Sequence, residues 1–152
     1  TSDFPETILK EQISALGDKT GFVLYGKPIY MKVTNHEAEY GAATIFNVIV
    51  PALDDYSKTV LIMYSNFEQN YPVAISVGKS FSEDMEFYCP QYEWKSIKEY
   101  YSSNFSNIKL YEERITEGNI DEFKDTLKKI LSSDEVMETI KTLYSKANML
   151  GN

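Results

Sequence analysis

Ala43-Thr44-Ile45-Phe46-Asn47-Val48-Ile49-Val50 is the stretch on which the fold turns. It is rich in β-branched residues and almost unbroken in apolar character, which predicts a central strand. Pro51 ends it, and Leu53-Asp54-Asp55-Tyr56-Ser57 has the residues of a turn. Thr59-Val60-Leu61-Ile62-Met63-Tyr64 then reads as the hairpin partner. Downstream, the polar run 66–70 predicts a turn and 71–77 a fourth strand, with Pro72 at its beginning or at a sheet edge. Met85, Phe87 and Cys89 alternate with Glu86 and Tyr88, as a half-buried fifth strand would. Upstream, 21–33 has period two, interrupted by Gly26 and Pro28. That interruption predicts a bulge, a hairpin turn or an edge position, because proline cannot donate to a central ladder.

Helical patterns flank these strands. Pro5 suits a first-turn position, with Asp3 as the cap, and Leu9, Ile13 and Leu16 make a stripe that Gly17 should stop. Trp94, Ile97 and Tyr101, at i, i+3 and i+7, predict a short helix, and 105–111 has room for a short strand. Asn119 with Glu122 has capping-box spacing ahead of Ile120, Phe123, Leu127, Ile130 and Leu131. Ser132 with Glu135 repeats the spacing ahead of Val136, Ile140, Leu143 and Ala147. The expected fold is α+β in one domain, 1–152. About five mostly antiparallel strands form the sheet, with an N-terminal helix and two C-terminal helices packed on it.

Composition narrows the chemistry. The 152 residues carry 23 acids against 15 bases, a net charge of −8. No apolar run approaches the roughly 18 residues of a membrane span, so no membrane partner is expected. The first 20 residues lack a signal-peptide core. Cys89 is the only cysteine, which excludes an internal disulfide and favours a reducing, cytoplasmic setting. His36, the only histidine, lies in the polar stretch Thr34-Asn35-His36-Glu37-Ala38-Glu39 and reads as a solvated loop residue. One cysteine and one histidine do not make a structural zinc site, and no cofactor is expected. Arg114 is the only arginine beside 14 lysines. An acidic, arginine-poor chain is a poor match for nucleic acid.

The charge is concentrated. Residues 80–122 hold ten acids and four bases, together with nine of the 21 aromatics. Aromatic anchors within an acidic rim suit a basic protein partner or a second copy of the chain. The candidate interaction residues are Tyr88, Tyr92, Trp94, Tyr100 and Tyr101 with Glu93 and Glu99. In composition the segment 80–111 is similar to immunity proteins and inhibitors of basic toxins. An interaction module rather than an enzyme is the expectation.

Two enzymatic patterns stand beside it. Asp84 followed by Glu93-Trp94-Lys95 resembles the metal site of nucleases of the PD-(D/E)xK type. In such a site Asp84 and Glu93 would hold Mg²⁺ and Lys95 would orient water. The pattern departs from the family at Glu83, where a proline is usual, and Glu93-Trp94-Lys95 carries a helical rather than an extended pattern. Alternatively, Tyr25, Tyr30, Tyr64 and Tyr88 would line a ligand pocket on a concave sheet face. Gly78-Lys79-Ser80 lacks the earlier glycine of a phosphate-binding loop, since position 73 is Val73.

Overall fold

A computed structural model describes residues 4–32, 40–77, 94–96 and 113–151, with the backbone alone at 94–96 and 113–116. The architecture is α+β. Helix α1 (Pro5–Lys19) leads into β1 (Tyr25–Lys32), β2 (Ala42–Val50), β3 (Tyr56–Ser65) and β4 (Val73–Val77). Two shorter strands, β5 (Trp94–Ser96) and β6 (Glu113–Glu117), precede α2 (Ile120–Leu131) and α3 (Asp134–Leu150). The six strands lie in the order β1-β2-β3-β4-β6-β5, and every neighbouring pair is antiparallel. The first four form a simple meander, and six strands lie among the described residues where about five were expected.

Residues 43–50 form a central strand as expected, and Pro28 lies in an edge strand, where a missing N–H costs no central ladder bond. Position 60 is the extra residue at a bulge, because Phe46 pairs with Leu61 but Asn47 with Thr59. There the Thr59 hydroxyl donates to Asn47 Oδ1 at 2.7 Å. Asp54 and Asp55 both have positive φ (56° and 58°) at the end of the five-residue connection between β2 and β3, where Asp is tolerated better than most side chains.

Phe46, Val48, Leu61, Met63, Val73, Ile75 and Val77 share one buried cluster with Leu9 and Ile13 of α1, Phe123, Leu127 and Ile130 of α2, and Val136 and Ala147 of α3. This is the helix-covered face of the sheet. The register puts Ala43, Ile45, Tyr64, Ile62, Ala74 and Ser76 on the opposite face, and all six are buried too.

The helix boundaries correct the sequence expectation. Gly17 does not stop α1, which runs on to Lys19. Thr20 ends it: its Oγ1 lies 2.9 Å from the Leu16 carbonyl and 2.8 Å from that of Leu24, and accepts the Leu24 N–H at 3.2 Å. Its hydroxyl thus ties the last turn of the helix to the approach of β1. Gly17 is instead the seat of the Phe22 ring, since a Cβ there would lie 2.7 Å from Phe22 Cε1. The expected strand start at 21–24 is therefore a turn, with Gly21 and Phe22 both at positive φ. Residue 4 occupies the N-cap position of α1, and Asp3 lies outside the described residues.

At the other end of the chain, Asn119 Oδ1 accepts the Glu122 N–H at 3.0 Å and Glu122 Oε2 accepts the Gly118 N–H at 3.1 Å. The predicted cap of α2 is thus present. The cap of α3 is Ser133 rather than Ser132: Ser133 Oγ accepts from Val136 N at 3.4 Å, while Ser132 Oγ donates to the Lys128 carbonyl at 2.6 Å. Tyr71 meets Phe123 edge-on, with ring centroids 6.0 Å apart, and pins α2 to the start of β4. The helix predicted from 94 to 101 is overturned at Trp94–Ser96, which is a strand paired with β6, and 97–101 lies outside the described residues. Three apolar residues in helical phase did not outweigh an available strand partner. The proposed fifth strand at 85–89 and the strand at 105–111 also lie outside the described residues.

Two glycine substitutions should separate side-chain from backbone crowding. At Gly26 a Cβ would collide with the Ile13 carbonyl of α1 and come 2.7 Å from Ile13 Cγ2, so Gly26→Ala must push helix and strand apart. A loss of about 2 kcal/mol in denaturant titration is expected. At Gly17 only the exposed Phe22 ring must swing aside, against a helix-propensity gain of about 1 kcal/mol. Gly17→Ala should therefore leave stability within about 0.5 kcal/mol of the parent. In the β2–β3 turn, Asp55→Gly relieves a side chain held at positive φ and should raise Tm by about 2–4 °C.

Candidate functional site

The acidic aromatic stretch is fastened to one side of the sheet. The chain leaves β4 at Val77 and returns at Glu113, and those two residues are register partners. Between them β5 pairs with β6 and is, among the described residues, the outermost strand opposite β1, with Trp94 in register with Ile115 and Lys95 with Arg114. Of the candidate interaction residues, Trp94 is in β5, whereas Tyr88, Tyr92, Glu93, Glu99, Tyr100 and Tyr101 lie outside the described residues. Asp84 of the nuclease-like pattern is also outside them, as are Cys89 and His36. Lys95 itself is in extended backbone, which corrects the helical reading of that triplet. Among the described residues no cluster of three His, Cys, Asp or Glu side chains has the arrangement to hold a metal ion. No helix there is long and apolar enough to cross a membrane.

Of the tyrosines expected to line a pocket, the three among the described residues do not converge. Tyr25 pairs with Ile49 and Tyr30 with Thr44, so they project from opposite faces of β1, and both are exposed. Tyr64 pairs with Ala43 and is fully buried on the face away from the helices. The partners of Tyr25 and Tyr64 are six positions apart along β2, about 20 Å of strand. Tyr88 lies outside the described residues.

Among the described residues a concavity lies in the helical layer. A trough of about 670 Å³ runs between α1 and α2. Its lining is mixed: the buried Ile8 and Leu127 with the half-buried Leu131 make its floor, the exposed Met137 adds an apolar side chain, and the exposed Lys19 of α1 with Lys124 and Lys128 of α2 stand on its rims. Glu11, Gln12 and Ser132 complete the lining. The pieces come from helical spacing: Ile8, Glu11, Gln12 and Lys19 share one side of α1, and Lys124, Leu127, Lys128 and Leu131 one side of α2. All three lysines are exposed, and none meets a carboxylate among the described residues. The neighbouring Lys129 is the one that pairs along α2, with Asp125 at 3.0 Å.

Sequence reasoning missed this trough. Its local trace was the pair Lys124 and Lys128 flanking the stripe residue Leu127, one turn apart. Nothing local announced that α1 would bring Lys19 and Ile8 alongside. Compared with known proteins, the chain matches no family model, no curated protein and no solved structure.

Proposed function

We propose that this chain is a small non-enzymatic interaction module of a reducing compartment, the cytoplasm, that engages a basic protein partner or a second copy of itself through segment 80–111. One observation carries the reading. Residues 80–122 hold ten acids, four bases and nine aromatics, and the sheet fastens that stretch at Val77 and Glu113 beside the outermost strand among the described residues. Aromatic side chains supply the buried area of an interface, and a single-sign field raises the rate at which an oppositely charged partner arrives. The outer side of β5, which pairs with no other strand among the described residues, would add main-chain donors and acceptors that a partner strand can satisfy.

The test is molecular mass by light scattering in low and moderate salt, followed by capture of basic proteins by whichever species is found. Self-pairing predicts a dimer that Trp94→Ala with Tyr101→Ala splits. A basic partner predicts a monomer whose captured protein is released by salt and lost in Glu93→Lys with Glu99→Lys. A monomer whose capture is indifferent to both pairs of substitutions overturns the reading.

A second reading is favoured by one observation: Lys95 occupies a strand, as the Glu-x-Lys element of a PD-(D/E)xK nuclease does. It predicts Mg²⁺-dependent cleavage of plasmid or single-stranded DNA that Asp84→Ala abolishes. Silence at high protein concentration removes it.

A further inference from the structure

We propose that the trough between α1 and α2 is a docking groove for an acidic amphipathic helix presented by a partner protein. Its sign is opposite to that of the chain. The whole sequence has a net charge of −8, yet the trough carries Lys19, Lys124 and Lys128 against Glu11 alone. Lysines that serve a surface helix are commonly paired with carboxylates at i±4, as Lys129 is with Asp125. The three in the trough have no such partner among the described residues and stand on both rims. An occupant with carboxylates on both flanks would complement them.

The floor sets the rest of its chemistry. Leu127 and Ile8 are buried, Leu131 is half-buried, and Met137 is exposed at the start of α3. Met137 can re-pack around an incoming side chain because its stem is unbranched and flexible. From Ile8 to Lys19 the α1 rim spans about 16 Å, and from Lys124 to Leu131 the α2 rim spans about 10 Å, two to three turns of a helix lying between them. Apolar residues at i, i+3, i+4 and i+7 of that helix would cover the floor while its acidic flanks meet the lysines. A nucleic acid fits poorly, because the basic strip is short, holds no arginine, and belongs to an acidic molecule. A small amphiphile fits less well than a helix, because the exposed rims leave the trough open to solvent rather than enclosing a ligand.

This proposal does not depend on segment 80–111, and its test leaves that segment untouched. The probe is a synthetic 14-residue helical peptide with leucines at i, i+3, i+4 and i+7 and glutamates on both flanks. Binding is read from the ¹³C-methyl resonance of Met137, assigned with Met137→Leu. The acidic peptide should shift that resonance and bind more weakly as salt rises. Lys124→Glu with Lys128→Glu should weaken it about tenfold or more. Lys141→Glu with Lys146→Glu, the same charge change elsewhere on exposed positions of α3, should leave affinity within about twofold, and circular dichroism should show both variants folded. Equal weakening by the two pairs, equal binding of a peptide with lysine flanks, or no shift at millimolar peptide overturns the proposal. So does a Met137 shift produced by dodecanoate but not by the peptide, which would assign the trough to a small amphiphile.

Discussion

Burial of the middle of the sheet on both faces is the constraint on which the rest of the molecule depends. An antiparallel sheet commonly packs one face and leaves the other to water, with alternating apolar and polar residues. Here β4 is buried at every position, and β2 at all but its first residue and Asn47. Three helices meet one face through Leu9, Ile13, Phe123, Leu127, Ile130 and Val136. The face bearing Ile45, Ile62 and Tyr64 is equally dry, so its polar groups have to be satisfied within the protein rather than by solvent. A one-residue slip of β2 would exchange the two faces, and the Thr59–Asn47 bond at the bulge helps to fix the register against it.

What was legible in the sequence was what local chemistry decides. The doubly apolar run 43–50 gave itself away as an interior strand because no alternation is needed when both faces are covered. The α2 cap was readable because Asn119 and Glu122 satisfy backbone groups within one turn. Boundaries set by distant partners were not. Gly17 looked like a helix stop, but its lack of a side chain serves the Phe22 ring, and the stop is made by Thr20 reaching both Leu16 and Leu24. Residues 94–96 looked helical because their phase was judged without β6, the strand that claims them.

The candidate sites divide in the same way. The acidic aromatic character of 80–122 is a matter of counting and needed no coordinates. The lysine-rimmed trough depends on two helices separated by about a hundred residues of chain and brought together only by the shared core. The trough and the 80–122 stretch of sequence carry opposite net charge, so a chain that is acidic in sum presents a local positive strip. That strip acts at short range, since exposed charges more than about 8–10 Å away are screened at physiological salt.

The long return from β4 to β6 gives the sheet an uneven history of assembly. β1 to β4 pair as successive neighbours, and the turns joining β2 to β3 and β3 to β4 span few residues, so little chain entropy is lost in bringing them together. β6 reaches β4 only across the 35 residues between Val77 and Glu113. A closure of that length is slower to find than a hairpin. The meander can therefore stand as a template before the β6–β5 side is laid against it.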